Sequence, residues 1–383
     1  MHEGTRYTRC LFVVSDAFGE LSSALAFAEG LSADSLVLLP ERLMRLVGPD
    51  VSIPRQLFAS SADVMHVFEQ YRPQAVFLFS GYLLVSDKLF STQALTAFVQ
   101  RVEEIGARLV TSDPLFVGIT PFEPTALAEW LPNRTSLQHA LGHSARTLEQ
   151  SIHLYKTTSA ASAREKVVCA FNPITVAASD TRNRLFSNTA SALDPDKRRW
   201  LFIMSQADFA CEAGSYGRNK NERLGAEEFF SLLRARIRDA IDQGRQPVFI
   251  GPQRCVENLQ DLSVSGARLM PFCEFSLFHT ILLEAEHVFY WNIFSDSIVQ
   301  RIAHGRPLHF FGFGHMVDGL RGMHERGLAY WYNNAPLPFI DPRERLATQA
   351  LEASARRQLI DFAVARENVL NALRPQDAVD SLL

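Results

Sequence analysis

The sequence predicts an α/β protein with two doubly wound, mostly parallel sheets that follow one another along the chain. Short runs that are apolar throughout, such as residues 10–15 and 75–80, alternate with segments of helical periodicity. Strands that are apolar on both faces are typical of parallel sheets covered by helices on both sides. The alternation stops in the polar stretch 180–199 and then starts again, and 383 residues suffice for two domains of ordinary size.

In the first half, apolar runs predict strands at residues 10–15, 36–39, 75–80, 108–111 and 167–170. Helical periodicity between them predicts helices at residues 21–31, 62–70, 92–105 and, in the less regular middle, 144–154. This half is therefore predicted to be doubly wound.

In the second half, the same criteria predict strands at residues 200–204, 247–251, 268–271, 287–291 and 307–311. The predicted helices are residues 226–243, which end at Gly244 as a C-terminal cap, then 276–285, 296–304 and a broken helical stretch at 343–373.

The change in composition sets the predicted domain bounds. Residues 1–180 are expected to form the N-terminal Rossmann-like domain and residues 200–383 the C-terminal one. The stretch 181–199, rich in Arg, Asn, Ser and Asp, is the predicted linker. The last helix could cross back to the first domain.

Bulk composition excludes several classes of function. A formal net charge of -4 disfavours a general nucleic-acid binder, which would carry a basic excess. No apolar run approaches the ~18 residues of a membrane span, so the sequence predicts a soluble, cytoplasmic protein without a transmembrane segment. Five cysteines without a CxxC pair indicate neither a disulfide framework nor a zinc site.

The segment Ser295-Asp296-Ser297 is the first candidate for ligand binding, because it opens a predicted helix. A helix N-terminus offers free backbone N–H groups and a positive dipole, which suit a phosphate. The same residues are also favoured simply as helix caps. Downstream, Gly312 and Gly314 predict a loop that can approach a ligand closely, with His315 directly after it.

This segment resembles the donor site of GT-B glycosyltransferases, and it is most similar to the group that adds N-acetylglucosamine to lipid-linked muropeptide. The matching positions are Pro271-Phe272, Ser295–Ser297, Gly305-Arg306-Pro307, His315 and Gly327. The stretch from Ser295 to Gly327 aligns without insertion or deletion. The resemblance implies two Rossmann-like domains facing each other across a cleft, with a nucleotide sugar as co-substrate and no further cofactor.

The resemblance also assigns roles, and some positions differ from the family. Phe272 would lie by the nucleotide base, and the ribose-binding Glu of the family falls on Gln300, which still offers an acceptor oxygen. Phe294 replaces the family's Gly, Met316 its Gln and Gly319 its Asn. The sugar and the base of the donor therefore stay open.

A second, shorter resemblance lies after the first strand. The run 19–28 is similar to the family's Gly-His-x-x-Pro-Ala-x-x-x-Ala, and the family's His falls on Glu20. A carboxylate there could act as the general base that deprotonates an acceptor hydroxyl. Asp16, at the end of the first strand, is the alternative base, and Glu20 could also be an ordinary acid in the first turn of a helix.

The loop 205–225 supplies further donor-site candidates. It begins with Ser205 and Gln206 and contains Arg218 and Lys220, so it could stabilise a leaving diphosphate with cations and without a metal. The only DxD-like spacing, Asp194-Pro195-Asp196, falls in the predicted linker. The sequence therefore predicts no metal site.

These patterns favour a metal-independent, inverting glycosyltransferase that acts on a small-molecule, lipid or polymer acceptor; inversion follows from the resemblance alone. Two alternatives stay open. One is a sugar-nucleotide 2-epimerase or hydrolase on the same scaffold, which would need several acidic residues and a His around the sugar. The other is a non-catalytic GT-B-like binding protein.

Overall fold

The computed structural model describes residues 8–113, 135–161, 165–187, 193–194, 196–213, 224–314 and 321–383. Contacts divide the chain into two compact units. The first unit comprises Met1–Pro173, Glu325–Trp331 and Asn368–Leu383; the second comprises Ile174–His324 and Tyr332–Glu367.

The first unit contains a seven-stranded sheet whose strand pairs are all parallel. In chain order the strands are β1 (Arg9–Val14), β2 (Asp34–Leu39), β3 (Arg55–Leu57), β4 (Ala75–Phe79), β5 (Arg108–Ser112), β6 (Ile152–Tyr155) and β7 (Val167–Cys169). Their order in the sheet is β3-β2-β1-β4-β5-β6-β7. The chain therefore reverses its winding direction between β1 and β4.

The helices of this half follow the strands as crossover connections. They are α1 (Phe18–Glu29), α2 (Glu41–Met44), α3 (Ser61–Tyr71), α4 (Thr92–Glu104) and α5 (Thr135–Thr147). Local sequence defines their starts: Ser60 and Asp63 form a reciprocal capping box before α3. Phe12 of β1 stacks on Phe77 of β4 with ring centroids 5.0 Å apart, so aromatic packing joins the central strands.

The second unit contains a five-stranded sheet, again with parallel pairs throughout. Its strands are β8 (Arg199–Ile203), β9 (Gln246–Ile250), β10 (Arg268–Met270), β11 (His287–Tyr290) and β12 (Leu308–Phe310). They are arranged as β10-β9-β8-β11-β12, so the winding direction reverses between β8 and β11. Both sheets are doubly wound, which confirms the predicted fold class.

The remaining helices are α6 (Ser179–Ser187), α7 (Gln206–Glu212), α8 (Ala226–Asp242), α9 (Gln253–Asn258), α10 (Phe275–Glu284), α11 (Asp296–Ala303), α12 (Arg321–Tyr332), α13 (Thr348–Asp361), α14 (Ala363–Leu370) and α15 (Pro375–Leu382). Helix α15 belongs to the first unit, where Leu373, just before it, donates its N–H to Cys169 O at 2.9 Å. Gly30 allows this packing, because a Cβ there would lie 2.6 Å from Pro375 Cγ.

The division into units does not coincide with the bounds 1–180, 181–199 and 200–383 that the sequence suggests, because residues 174–199 count with the second unit. Helix α6 overlaps the start of the predicted linker, and Arg182 joins it to Glu284 of α10 across 3.3 Å. Arg199 pairs with the same carboxylate at 3.1 Å. These two arginines of the polar stretch therefore bond to a helix of the second unit.

The prediction of a helix at residues 144–154 is wrong in its second half. Helix α5 ends at Thr147, and residues 152–155 form β6. His153 and Leu154 are buried because β6 lies between β5 and β7. Helix α7 was also missed, since residues 205–225 were interpreted as a loop.

Two buried histidines, His287 of β11 and His309 of β12, lie side by side, with His287 Nδ1 3.1 Å from His309 Nε2. Burial is the main cause that lowers the pKa of His287 to about 4, helped by the nearby charges of Arg301 and Arg245. Burial also lowers the pKa of His309 well below its ordinary value, and His287 and Arg301 add to the shift. Both rings are therefore neutral in the native protein near neutral pH.

This pair predicts that the protein loses stability on acidification. The unfolded chain binds protons on these histidines near pH 6.5, whereas in the native state the pKa of His287 is about 4 and that of His309 is also well below its ordinary value, so unfolding is favoured as pH falls below 6.5. The slope should reach about 1.4 kcal/mol per pH unit for each histidine. Urea unfolding at pH 7, 6 and 5 measures it. The double change His287→Gln and His309→Gln should flatten the slope, whereas His66→Gln, at an exposed position, should leave it unchanged.

Candidate functional site

In doubly wound sheets, ligands bind at the carboxyl ends of the strands where the winding direction reverses. In the first unit this point lies between β1 and β4. Ser15, directly after β1, accepts the backbone N–H of Ser80, directly after β4, on its Oγ at 3.0 Å. The two loops that open this edge of the sheet are therefore held together.

Glu20 lies in the first turn of α1, beside this edge. Glu20 is buried, with 7% of its surface exposed, and Ser112 Oγ donates a hydrogen bond to its Oε2. Ser112 is the last residue of β5. The fold thus brings the candidate base to the carboxyl ends of the central strands.

Asp16 lies in the short loop between β1 and α1, and its carboxylate bonds to an arginine. Arg42 Nε donates to both carboxylate oxygens of Asp16, at 2.9 and 3.1 Å. The backbone N–H of Asp16 donates to Asp87 Oδ2 at 2.9 Å. Burial raises the pKa of Asp87 to about 6, while the hydrogen bond from Asp16 N lowers it.

Two more polar contacts at this edge were not predicted from the sequence. Tyr155 OH donates to Asp113 Oδ2 at 2.6 Å, and Lys156 Nζ donates to Ser23 Oγ at 2.6 Å. Ser23 lies one helical turn after Glu20 on α1. A positional signal was available for Asp113, which directly follows β5, whereas Lys156 follows β6, a strand that the sequence did not predict.

In the second unit, the corresponding point lies between β8 and β11, and α11 begins just after β11. Ser295 precedes the helix but does not cap its first-turn amides; its Oγ lies 2.9 Å from Ser297 Oγ instead. Asp296 and Ser297 are buried, and Phe294 packs edge-on against His324 with ring centroids 6.0 Å apart. The start of a helix offers backbone N–H groups to an anion, and in α11 one of these groups, the N–H of Ile298, donates to Ser295 O at 2.9 Å.

Gln300, the predicted ribose-binding residue, has a second role. It is 2% exposed, and its Oε1 accepts the backbone N–H of Ile174 at 3.0 Å. A buried acceptor that already has a main-chain donor is poorly placed to bind a ribose hydroxyl. Its part in donor binding stays a prediction.

Ser205 is the N-cap of α7, two residues after the end of β8, and its Oγ donates to Asp208 Oδ2 at 2.6 Å in a capping box. Asp208, in the first turn of α7, is fully buried and also accepts from Asn292 Nδ2 at 2.7 Å, so the start of α7 is bonded to the loop after β11. Neither Asp208 nor Asn292 was singled out from the sequence. The Ser-x-x-Asp spacing of a capping box was the signal for Asp208.

The other predicted donor-site residues are spread more widely. Gln206 is the exposed first residue of α7, and Phe272 follows β10 with φ 77° and 38% of its surface exposed. Ser205, Gln206 and Ser295–Ser297 thus follow two adjacent strands, whereas Phe272 follows an edge strand. Arg218, Lys220 and His315 lie outside the described residues.

In the residues that the structure describes, no group of three or more His, Cys, Asp or Glu side chains could hold a metal ion. Among the helices so described, none is long and apolar enough to cross a membrane.

Comparison with solved structures identifies the architecture as a two-domain α/β GT-B fold. The spinosyn rhamnosyltransferase SpnG in complex with spinosyn aglycone gives a TM-score of 0.51 at 14% identity, over 97% of this chain and 99% of that one. The same enzyme with thymidine diphosphate gives 0.50 at 13%, over 98% and 100%.

A UDP-GlcNAc 2-epimerase from Neisseria meningitidis, bound to UDP-GlcNAc, gives a TM-score of 0.48 at 12% identity over 98% of each chain. At these identities the likeness to SpnG shows the fold and leaves the reaction open. The sequence matches no protein-family model and none of the curated proteins.

Proposed function

We propose that this protein is a glycosyltransferase that moves a sugar from a nucleotide-sugar donor to a hydroxyl group of an acceptor. The observation that carries the proposal is the arrangement of the second unit. The uncapped start of α11 and the loop after β8 lie at the point where a parallel sheet of GT-B type reverses its winding. This is the position at which doubly wound folds bind nucleotides.

The donor diphosphate would bind to the first-turn amides of α11 and to the hydroxyls of Ser295 and Ser297. Ser205 and Gln206 would approach it from the loop after β8, and Arg218 and Lys220 would balance its charge. Phe272, exposed beyond β10, offers a flat apolar surface for the nucleotide base. His315 would contact the sugar. Cations and a helix N-terminus can stabilise a leaving diphosphate without a metal ion.

The reaction would be a direct displacement. Glu20 would take the proton of the acceptor hydroxyl while the acceptor oxygen forms a bond to the anomeric carbon. The bond from that carbon to the diphosphate oxygen would break, and the nucleoside diphosphate would leave with the electron pair. Attack from the opposite face inverts the anomeric carbon. Asp16 is the second candidate base, but its ion pair with Arg42 engages both carboxylate oxygens, which favours Glu20.

A nucleotide panel tests the donor site directly. We expect one of UDP, GDP, TDP and CDP to raise the melting temperature by several degrees. A ligand at 100 times its Kd adds about 2.7 kcal/mol to native stability. Inorganic phosphate and the matching nucleoside serve as controls and should have smaller effects. If none of the four diphosphates shifts melting, the proposal is wrong.

The products then identify the reaction. With the nucleotide sugar that corresponds to the bound nucleoside diphosphate, a glycosyltransferase releases that nucleoside diphosphate in proportion to the glycosylated acceptor. An epimerase returns an isomeric nucleotide sugar, and a hydrolase releases free sugar without an acceptor. Binding without any turnover across small-molecule, lipid and polymer acceptors would indicate a binding protein instead.

A further inference from the structure

We infer that Asp208, Asn292 and Gly314 are positioning residues for the donor diphosphate, an inference that rests on the proposed function. They bring three segments together at one buried point: Asp208 lies in the first turn of α7 after β8, Asn292 in the loop after β11 and Gly314 in the loop after β12. These three strands are neighbours in the sheet of the second unit. The residues would act through the loops that they hold, without touching the ligand.

Asp208 is the centre of this cluster. Its carboxylate is fully buried, and its Oδ2 accepts from Ser205 Oγ at 2.6 Å, from Ser205 N at 3.3 Å and from Asn292 Nδ2 at 2.7 Å. The bond to Asn292 therefore fixes the distance between the first turn of α7 and the loop after β11, two segments that are 84 residues apart in sequence.

Gly314 brings the third loop to the same point. Its φ is 86°, which a residue with a side chain adopts only with strain. A Cβ at this position would lie 2.4 Å from Asn292 Cβ and 3.2 Å from Asp208 Oδ1. Only glycine lets the chain pass this close, and the next residue is His315, a predicted donor-site residue.

The consequence is a preorganised site. Asn292 lies three residues before Ser295, so holding Asn292 also holds the start of α11. Ser205 is held by the same carboxylate, so both proposed phosphate contacts have one common anchor. A loop that is already ordered loses less entropy when the ligand binds, and a displacement of about 1 Å can cost about 100-fold in efficiency.

The test is an exchange of the two side chains. Asn292→Asp places two carboxylates against each other, and we expect the affinity for the nucleoside diphosphate of the panel to fall about 10- to 100-fold. The double variant Asp208→Asn with Asn292→Asp restores a bond, because an amide at position 208 donates to a carboxylate at position 292. We expect it to regain binding to within about threefold of the original protein. Titration calorimetry measures each Kd, and thermal melting reports folding.

Gln243→Ala is the matched control for a general loss of stability. Gln243 lies between α8 and β9, at the amino-terminal ends of the strands of the same sheet. Its Nε2 donates to Leu346 O at 2.8 Å, and its Oε1 accepts from Thr348 N at 2.7 Å. This variant should melt earlier but bind the diphosphate with unchanged affinity.

The outcomes separate this inference from the proposed function. If the unaltered protein binds no diphosphate, the proposed function fails. If it binds and folded Asn292→Asp binds equally well, the positioning role is refuted. The role is also refuted if the double variant melts like the original protein but does not regain affinity, or if Gln243→Ala loses affinity to the same extent.

Discussion

Replacing Glu20 with Gln is expected to lower kcat about 100- to 10,000-fold, the usual contribution of a general base. The amide has nearly the same shape as the carboxylate but cannot take the acceptor's proton. It can still accept the hydrogen bond from Ser112 Oγ, so the local structure should persist. The Kd for the nucleoside diphosphate should not change, because the proposed donor residues belong to the second unit and Glu20 to the first.

The measurement is the release of nucleoside diphosphate from the nucleotide sugar that corresponds to the diphosphate bound in the panel, with and without acceptor. Glu29→Gln is the matched control, since Glu29 ends the same helix at an exposed position and should retain full activity. Asp16→Asn tests the other candidate base. Full activity in Glu20→Gln together with a large loss in Asp16→Asn would move the role to Asp16.

The second large effect concerns Arg301, a fully buried arginine in α11. Its Nη1 donates to Leu282 O and Ala285 O, each at 2.9 Å, and its Nη2 donates to Pro307 O. Two of these carbonyls lie at the C-terminal end of α10, where the helix dipole favours a positive charge. Burial is the main cause that lowers the pKa of Arg301 to about 9, so the group remains charged at neutral pH.

Arg301→Met should destabilise the protein by about 3–5 kcal/mol, because buried carbonyls that lose their donor cost about 1–3 kcal/mol each. Relief of the desolvation of a buried cation acts in the opposite direction. The loss of a donor to three carbonyls should outweigh that relief, since one guanidinium with several N–H groups bonds all three.

Thermal melting checks this prediction, and a fall of roughly 10 °C is expected. Arg306→Met, five residues further at an exposed position, is the control and should change stability by less than about 0.5 kcal/mol. If Arg301→Met melts within about 2 °C of the original protein, desolvation and hydrogen bonding of the guanidinium cancel.

Much of the fold could be predicted because parallel strands in the centre of a sheet must be apolar on both faces. Runs such as residues 75–80 and 287–291 carry that signal locally, and the structure has β4 and β11 there. Glycines marked some ends, as Gly244 does after α8, where φ is 70°.

Segments whose conformation depends on distant partners were not predictable in the same way. The stretch 152–155 forms β6 because β5 and β7 pair with it on either side. Helix α6 is polar enough to be interpreted as a linker, yet Arg182 anchors it to Glu284 of α10. Strand β5 and Glu284 both lie far away in sequence, so the local pattern contained no sign of them.

The same distinction holds for the candidate site. Local periodicity indicates which residues follow strands and open helices, and it drew attention to Glu20 and to Ser295–Ser297. That Gln300 Oε1 accepts the N–H of Ile174, and that Asp208 accepts from Asn292, is visible only in the folded chain. Periodicity is a property of neighbouring residues, whereas a buried polar atom takes whichever partner the packed chain brings within hydrogen-bonding distance.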